Sequence, residues 1–160
     1  MNTRESKVIA DDPGPAWCVA VSPDDRFVAA GFYKVVHIWD VETRTLIDCL
    51  RGHDSFVNSV AFTPDGKGLV SCSEDKALKY WEFSTALSNT HETGRQFRKC
   101  IQDFTGHRGP VYSMAISHDG QWIVSGSKDC GVQFWDRHGY THLMLQGHHG
   151  SGTRLCLQVF

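Results

Sequence analysis

Apolar and polar residues alternate along this chain in short runs, each stopped by Pro, Gly or Asp, and no window of a dozen residues keeps a helical period. The fold class predicted is all-β. Strands are expected near 57–62, 68–73 and 77–82, separated by Thr63-Pro64-Asp65-Gly66 and Glu74-Asp75-Lys76, whose Pro, Gly and Asp favour tight turns. The same texture returns at 111–116, 122–127 and 131–136, and an outer strand is expected after each of three tryptophans, at 44–50, 99–104 and 141–146.

These runs belong to a repeat. Gly52-His53 leads to Trp81-Glu82 as Gly106-His107 leads to Trp135-Asp136, with 28 residues from His to Trp each time. A weaker copy runs from Val19-Ala20-Val21-Ser22-Pro23-Asp24 to Trp39-Asp40. A period near 40 residues with a Gly-His start and a Trp-Asp end marks a four-stranded antiparallel propeller blade. The chain therefore divides into an extension (1–15), a degenerate blade (16–50), a second blade (51–105), a third (106–146) and the truncated start of another repeat with a divergent tail (147–160). Trp81 to Trp135 exceeds the period by about twelve residues. The excess is assigned to a polar insertion at 84–99, which reads as a surface loop with phosphorylatable hydroxyls.

His53, Ser71, Asp75 and Trp81 recur as His107, Ser125, Asp129 and Trp135. A catalytic triad occurs once, whereas a set that recurs with a Trp at constant spacing is a fold device. A buried indole needs an acceptor for its single N–H, and a Ser-His-Asp relay provides one. The first repeat has Asp11-Asp12-Pro13-Gly14 in place of Gly-His and Gly31-Phe32-Tyr33-Lys34 in place of the turn Asp, so Trp39 is expected to be held mainly by packing.

Composition narrows the function. With 41% hydrophobic and 11% aromatic residues the chain has material for a core, and its net charge of −2 gives no footprint for direct nucleic-acid or anionic-membrane binding. No stretch approaches the eighteen apolar residues of a membrane span, so a soluble, intracellular product is expected. Six cysteines without a C-x-x-C read as small buried thiols. His138, His142, His148 and His149 raise a zinc hypothesis supported only by proximity in sequence, the alternative being a solvated His-rich turn. No Gly-rich phosphate loop follows a strand and the carboxylates sit singly in turns, so no enzyme and no cofactor are expected.

The segment Val124-Ser125-Gly126-Ser127-Lys128-Asp129-Cys130-Gly131-Val132-Gln133-Phe134-Trp135-Asp136, followed by Leu143-Met144-Leu145-Gln146-Gly147-His148, resembles the WD-repeat propeller of fungal Tup-type, Groucho-like transcriptional corepressors. The interruption after Trp81 and the wording Val19-Ala20-Val21-Ser22-Pro23 with Ala29-Ala30-Gly31 fit the same family, over roughly residues 8–149. The resemblance implies three blades, the fourth to sixth, of a seven-bladed parent. It also implies a nuclear, noncatalytic module recruited by DNA-bound repressors. Histone tails and a tetratricopeptide partner would be met through regions absent here. After His148 the text leaves the family's pattern, as a truncated gene or a retained intron would leave it. Other adaptors of this fold, such as a ubiquitin-ligase substrate receptor or a G-protein-β-like scaffold, stay open as the alternative.

Propellers bind through loops and strand ends around the central channel. The candidates for partner contact are Trp17, Phe56, Asn58, Glu74, Arg108, Tyr112 and Lys128, with Trp17 and Phe56 alternatively filling space between blades. Three blades make an open arc whose end walls present apolar surface. Marginal stability, self-association through those edges, or completion by another polypeptide is therefore expected.

Overall fold

The computed structural model of the protein describes residues 14–84, 96–97 and 100–146. The first blade contains β1 (Cys18–Val21), β2 (Phe27–Gly31), β3 (Tyr33–Asp40) and the start of β4 (Thr45–Phe62). The second contains the end of β4, β5 (Gly68–Ser73) and β6 (Ala77–Ser84), with β7 (Gln96–Phe97) and β8 (Gln102–Thr105) both pairing with β6. The third is β9 (Val111–Ile116), β10 (Trp122–Ser127), β11 (Gly131–Asp136) and β12 (Thr141–Gln146). Every pairing is antiparallel. The architecture is a partial β-propeller.

One turn chemistry sets the first hairpin of all three blades. The hydroxyls of Ser22, Thr63 and Ser117 donate to Asp24, Asp65 and Asp119 at 2.6, 2.6 and 2.5 Å. The same carboxylates accept the N–H of Arg26, Lys67 and Gln121. Between them the backbone passes through the left-handed region at Asp25 (φ 56), Gly66 (φ 65) and Gly120 (φ 69). Gly and Asp tolerate that conformation better than branched residues do.

Packing between blades forms the core. Phe27, Ile38 and Leu50 of the first blade meet Val57, Leu69 and Trp81 of the second; Val70, Leu78 and Phe104 of the second meet Val111, Ile123 and Trp135 of the third. Each fully buried apolar side chain contributes about 1.5–3 kcal/mol. Trp81 and Trp135 thus face the preceding blade, and with strand alternation Trp39 faces away from the second.

The structure departs from the expected strands: the outer strand expected at 99–104 is β8, Gln102–Thr105. The expected outer strand at 44–50 and inner strand at 57–62 are one 18-residue strand, β4, because residues 51–56 stay extended while the chain passes from blade to blade. The insertion at 84–99 is not wholly a loop: Phe83 and Ser84 of β6 pair with Phe97 and Gln96. Its other residues lie outside those described, as do residues 1–13 and 147–160 with the expected extension, next Gly-His and tail.

Candidate protein-interaction face

The recurring residues come together in the second and third blades. Trp81 Nε1 donates to Ser71 Oγ at 2.9 Å, His53 Nε2 lies 2.8 Å from the same hydroxyl, and His53 Nδ1 lies 2.7 Å from Asp75 Oδ2. In the third blade the corresponding distances are 2.8 Å (Trp135 to Ser125), 2.8 Å (His107 to Ser125) and 2.9 Å (His107 to Asp129). The ionised carboxylate only accepts, so the proton sits on His Nδ1, and in the neutral imidazole Nε2 then accepts from the Ser hydroxyl, whose oxygen accepts the indole N–H. Asp75 also accepts the N–H of Asp54 and Ala77, and Asp129 that of Arg108 and Gly131. Burial alone would push the Asp75 carboxyl up, but the His53 bond and charge and the two backbone donors outweigh it and hold it at about 2. Asp129 is lowered by the same balance, its burial opposed by Arg108 N–H, His107 and Gly131 N–H.

Ser71 and Ser125 are fully buried. Each serves an indole and an imidazole. In the first blade Tyr33 occupies the turn position of Asp75 and Asp129, with Lys34 (φ 66) matching Lys76 (φ 76) and Cys130 (φ 64). Trp39 Nε1 has no hydrogen-bond partner among the described residues, and its ring packs on Phe32 and His37 at 6.2 and 5.6 Å.

The partner-contact candidates lie at the end of the blades that carries these turns. Trp17 is 57% exposed and meets Phe56 edge-on at 5.2 Å. Phe56 in turn packs on Tyr33, which is 50% exposed, at 4.9 Å. Sequence reasoning missed Tyr33; the signal was an aromatic where the repeat calls for Asp. Glu74 is half-buried beside this cluster, its N–H on the Phe56 carbonyl and its carboxylate 3.4 Å from Ser55 Oγ. Asn58 is engaged differently from the expectation, since its amide donates to the Val111 carbonyl at 2.9 Å and ties the second blade to the third. Arg108 and Lys128 are exposed on paired loops, with Lys128 N–H on the Pro110 carbonyl and Tyr112 half-buried beyond.

Other groups are occupied structurally. The described cysteines are free thiols, of which only Cys72 is fully buried, and burial pushes Cys18 and Cys100 up to about 11. His142 Nε2 bonds Asp136 at 2.9 Å, while His148 and His149 lie outside the described residues. Among the described residues no three His, Cys, Asp or Glu side chains converge as a metal site would require. No helix among them is long and apolar enough to cross a membrane.

Comparison with known proteins agrees with the geometry. The profile described as WD domain, G-beta repeat matches residues 6–40, 44–82 and 98–136. A transcriptional repressor, rco-1 of Neurospora crassa, is 61% identical over 54 residues, 33% of this chain and 9% of its own. A nuclear distribution protein PAC1 of Arthroderma otae is 28% identical over 143 residues, 81% of this chain and 30% of its own. A periodic tryptophan protein 2 homolog of Dictyostelium discoideum is 34% identical over 121 residues, 74% of this chain and 12% of its own. The matched segments thus span less than a third of these relatives.

Proposed function

Because the chain belongs to the WD40-repeat family, whose domains mediate protein–protein contacts and are typically noncatalytic, we propose that it is the interaction module of a nuclear transcriptional corepressor. DNA-bound repressors would be its partners, meeting it at the face of Trp17, Tyr33 and Phe56. The observation that carries this reading is the cluster of Trp17, Tyr33 and Phe56, of which Trp17 and Tyr33 are exposed, packed ring on ring where the first blade meets the second. Large aromatics on a fixed support are what interface anchors need. The 61% identity with rco-1 supports the choice of repression among the roles this fold serves. Histone tails and a tetratricopeptide partner belong to the same proposal through regions beyond this chain.

The repeats also match, at lower identity, a CCR4-associated factor 4 homolog and a pre-rRNA-processing protein over 63% and 74% of the chain. That breadth supports a second reading, a general WD adaptor. Capture from nuclear extract on the full chain, on Trp17→Ala and on Tyr33→Ala separates the two. Recovery of sequence-specific DNA-binding repressors, lost with both variants while thermal melts are unchanged, supports the corepressor. Recovery of ribosome-assembly or signalling proteins instead overturns it.

A further inference from the structure

We infer that two copies of this chain pair head to tail, the third blade of each packing on the first blade of the other. The surfaces are blade walls, separate from the aromatic face of the preceding reading, so either can fail without the other.

The chain shows twice what each wall takes. At the first junction Val36, Ile38 and Leu50, on the rear wall of the first blade, are buried with Val60, Phe62 and Leu69 on the front wall of the second. At the second junction Val70, Leu78 and Phe104 are buried with Met114 and Ile123. Strand register carries both patterns to the outer blades. Val132 pairs with Gly126 and Leu145 as Leu78 pairs with Cys72 and Phe104, so the third blade repeats the rear wall. Val19 stands opposite Ala30 as Val60 stands opposite Ser71, so the first blade repeats the front wall, with Val21 in the place of Phe62. The first blade's front wall and the third blade's rear wall are thus the two halves of a junction that the chain already makes twice.

Both halves lack their cover among the described residues. Val19 and Val21 are 68% and 54% exposed where Val60 and Phe62 are buried, and Leu145 is 50% exposed where Leu50 and Phe104 are buried. The third blade's rear wall is also apolar farther out than either covered one. Leu143 pairs with Phe134 as Asp48 pairs with Ile38 and Gln102 with Tyr80, so a leucine stands where both internal junctions have a polar side chain. Apolar area at that rim favours a covered state. At the second junction the Trp135 ring lies 5.8 Å from that of Phe104. The same register brings Trp39 of one copy to Leu145 of the other.

The junction joins two different surfaces, so repeating it yields a closed ring or an open filament. Two arcs of three blades make six, within the roughly four to eight blades of propellers, and the pair closes as a ring with both junctions made.

Sedimentation velocity of the full chain tests this, with a single dimer boundary expected at micromolar concentration. Val19→Asp and Leu145→Asp each place a carboxylate in one wall and should weaken association at least about tenfold. Both side chains are exposed in the single chain, so the β-sheet circular dichroism should be retained. Mixing the two variants restores one unaltered junction per pair, and the mixture should associate more tightly than either variant alone. The milder Val21→Ser and Leu143→Ser should show the same pattern, and Trp17→Ala should leave the dimer unchanged. A monomer at every concentration, an open polymer, or a mixture no tighter than its components overturns the pairing. Dimerisation kept in Val19→Asp and lost in Leu145→Asp would mean third blade on third blade and also overturns it.

Discussion

Trp135 gives its indole proton to Ser125 at 2.8 Å while its ring meets Phe104 of the preceding blade at 5.8 Å. One side chain thereby joins the hydrogen bonding inside a blade to the packing between blades. The serine is buried and doubly engaged, so its hydroxyl is a structural atom.

Removing the far end of the relay should cost stability and nothing else. Asp129→Ala leaves His107 Nδ1 and the N–H groups of Arg108 and Gly131 without their acceptor. Losses of about 1–3 kcal/mol are expected for a buried partner orphaned in this way. A thermal melt unchanged from the parent chain would contradict the assignment.

Acid should loosen the second blade through Asp75. Its carboxyl is held at about 2 in the fold against an ordinary value of 3.8, so the contribution is present above about pH 4 and is lost as pH falls toward about 2. Denaturant titrations across that window should show stability falling with acid. Asp75→Asn should be less stable at neutral pH and show a shallower fall.

The first blade predicts a contrast between tryptophans. Trp39 has no hydrogen-bond partner for Nε1 among the described residues, whereas Trp81 donates to Ser71. Replacing Trp39 with Phe should change stability by less than the Trp81→Phe change, which loses a buried bond worth about 1 kcal/mol in addition to packing. Equal losses would show that the relay adds nothing to the indole's burial.

Asn58 and Trp17 should separate structure from recognition. Asn58→Ala breaks the tie to the Val111 carbonyl and should lower the melt by the equivalent of about 1 kcal/mol. Trp17→Ala removes a ring that is 57% exposed and should leave the melt nearly unchanged while weakening partner capture. The reverse pattern, a large melting shift at Trp17 with binding intact, would make that ring filler between blades.

The strand positions were legible because a period of two and turn-forming residues are local signals, as at Val111–Ile116 and Trp122–Ser127. Relay membership could be read because four residue types recur at constant spacing. What escaped depended on tertiary context. Residues 51–55 carry Gly52-His53, which marks the start of a repeat, and no apolar side chain, yet they stay extended inside β4. Tyr33 stands in the sequence at the turn position of the first repeat, but its exposure and its packing on Phe56 depend on the tertiary fold. Asn58 was placed on the face from its position at the start of an inner strand, and only the neighbouring blade's carbonyl reveals where its amide goes.

The most direct measurement is a double-mutant cycle on Ser125→Ala and Trp135→Phe, followed by reversible denaturant unfolding of the full chain. If these groups hold the blade together, each change destabilises and the cycle gives a coupling energy on the order of 1 kcal/mol. Additive effects with no coupling, or wild-type stability accompanied by loss of a catalysed reaction, would contradict the account.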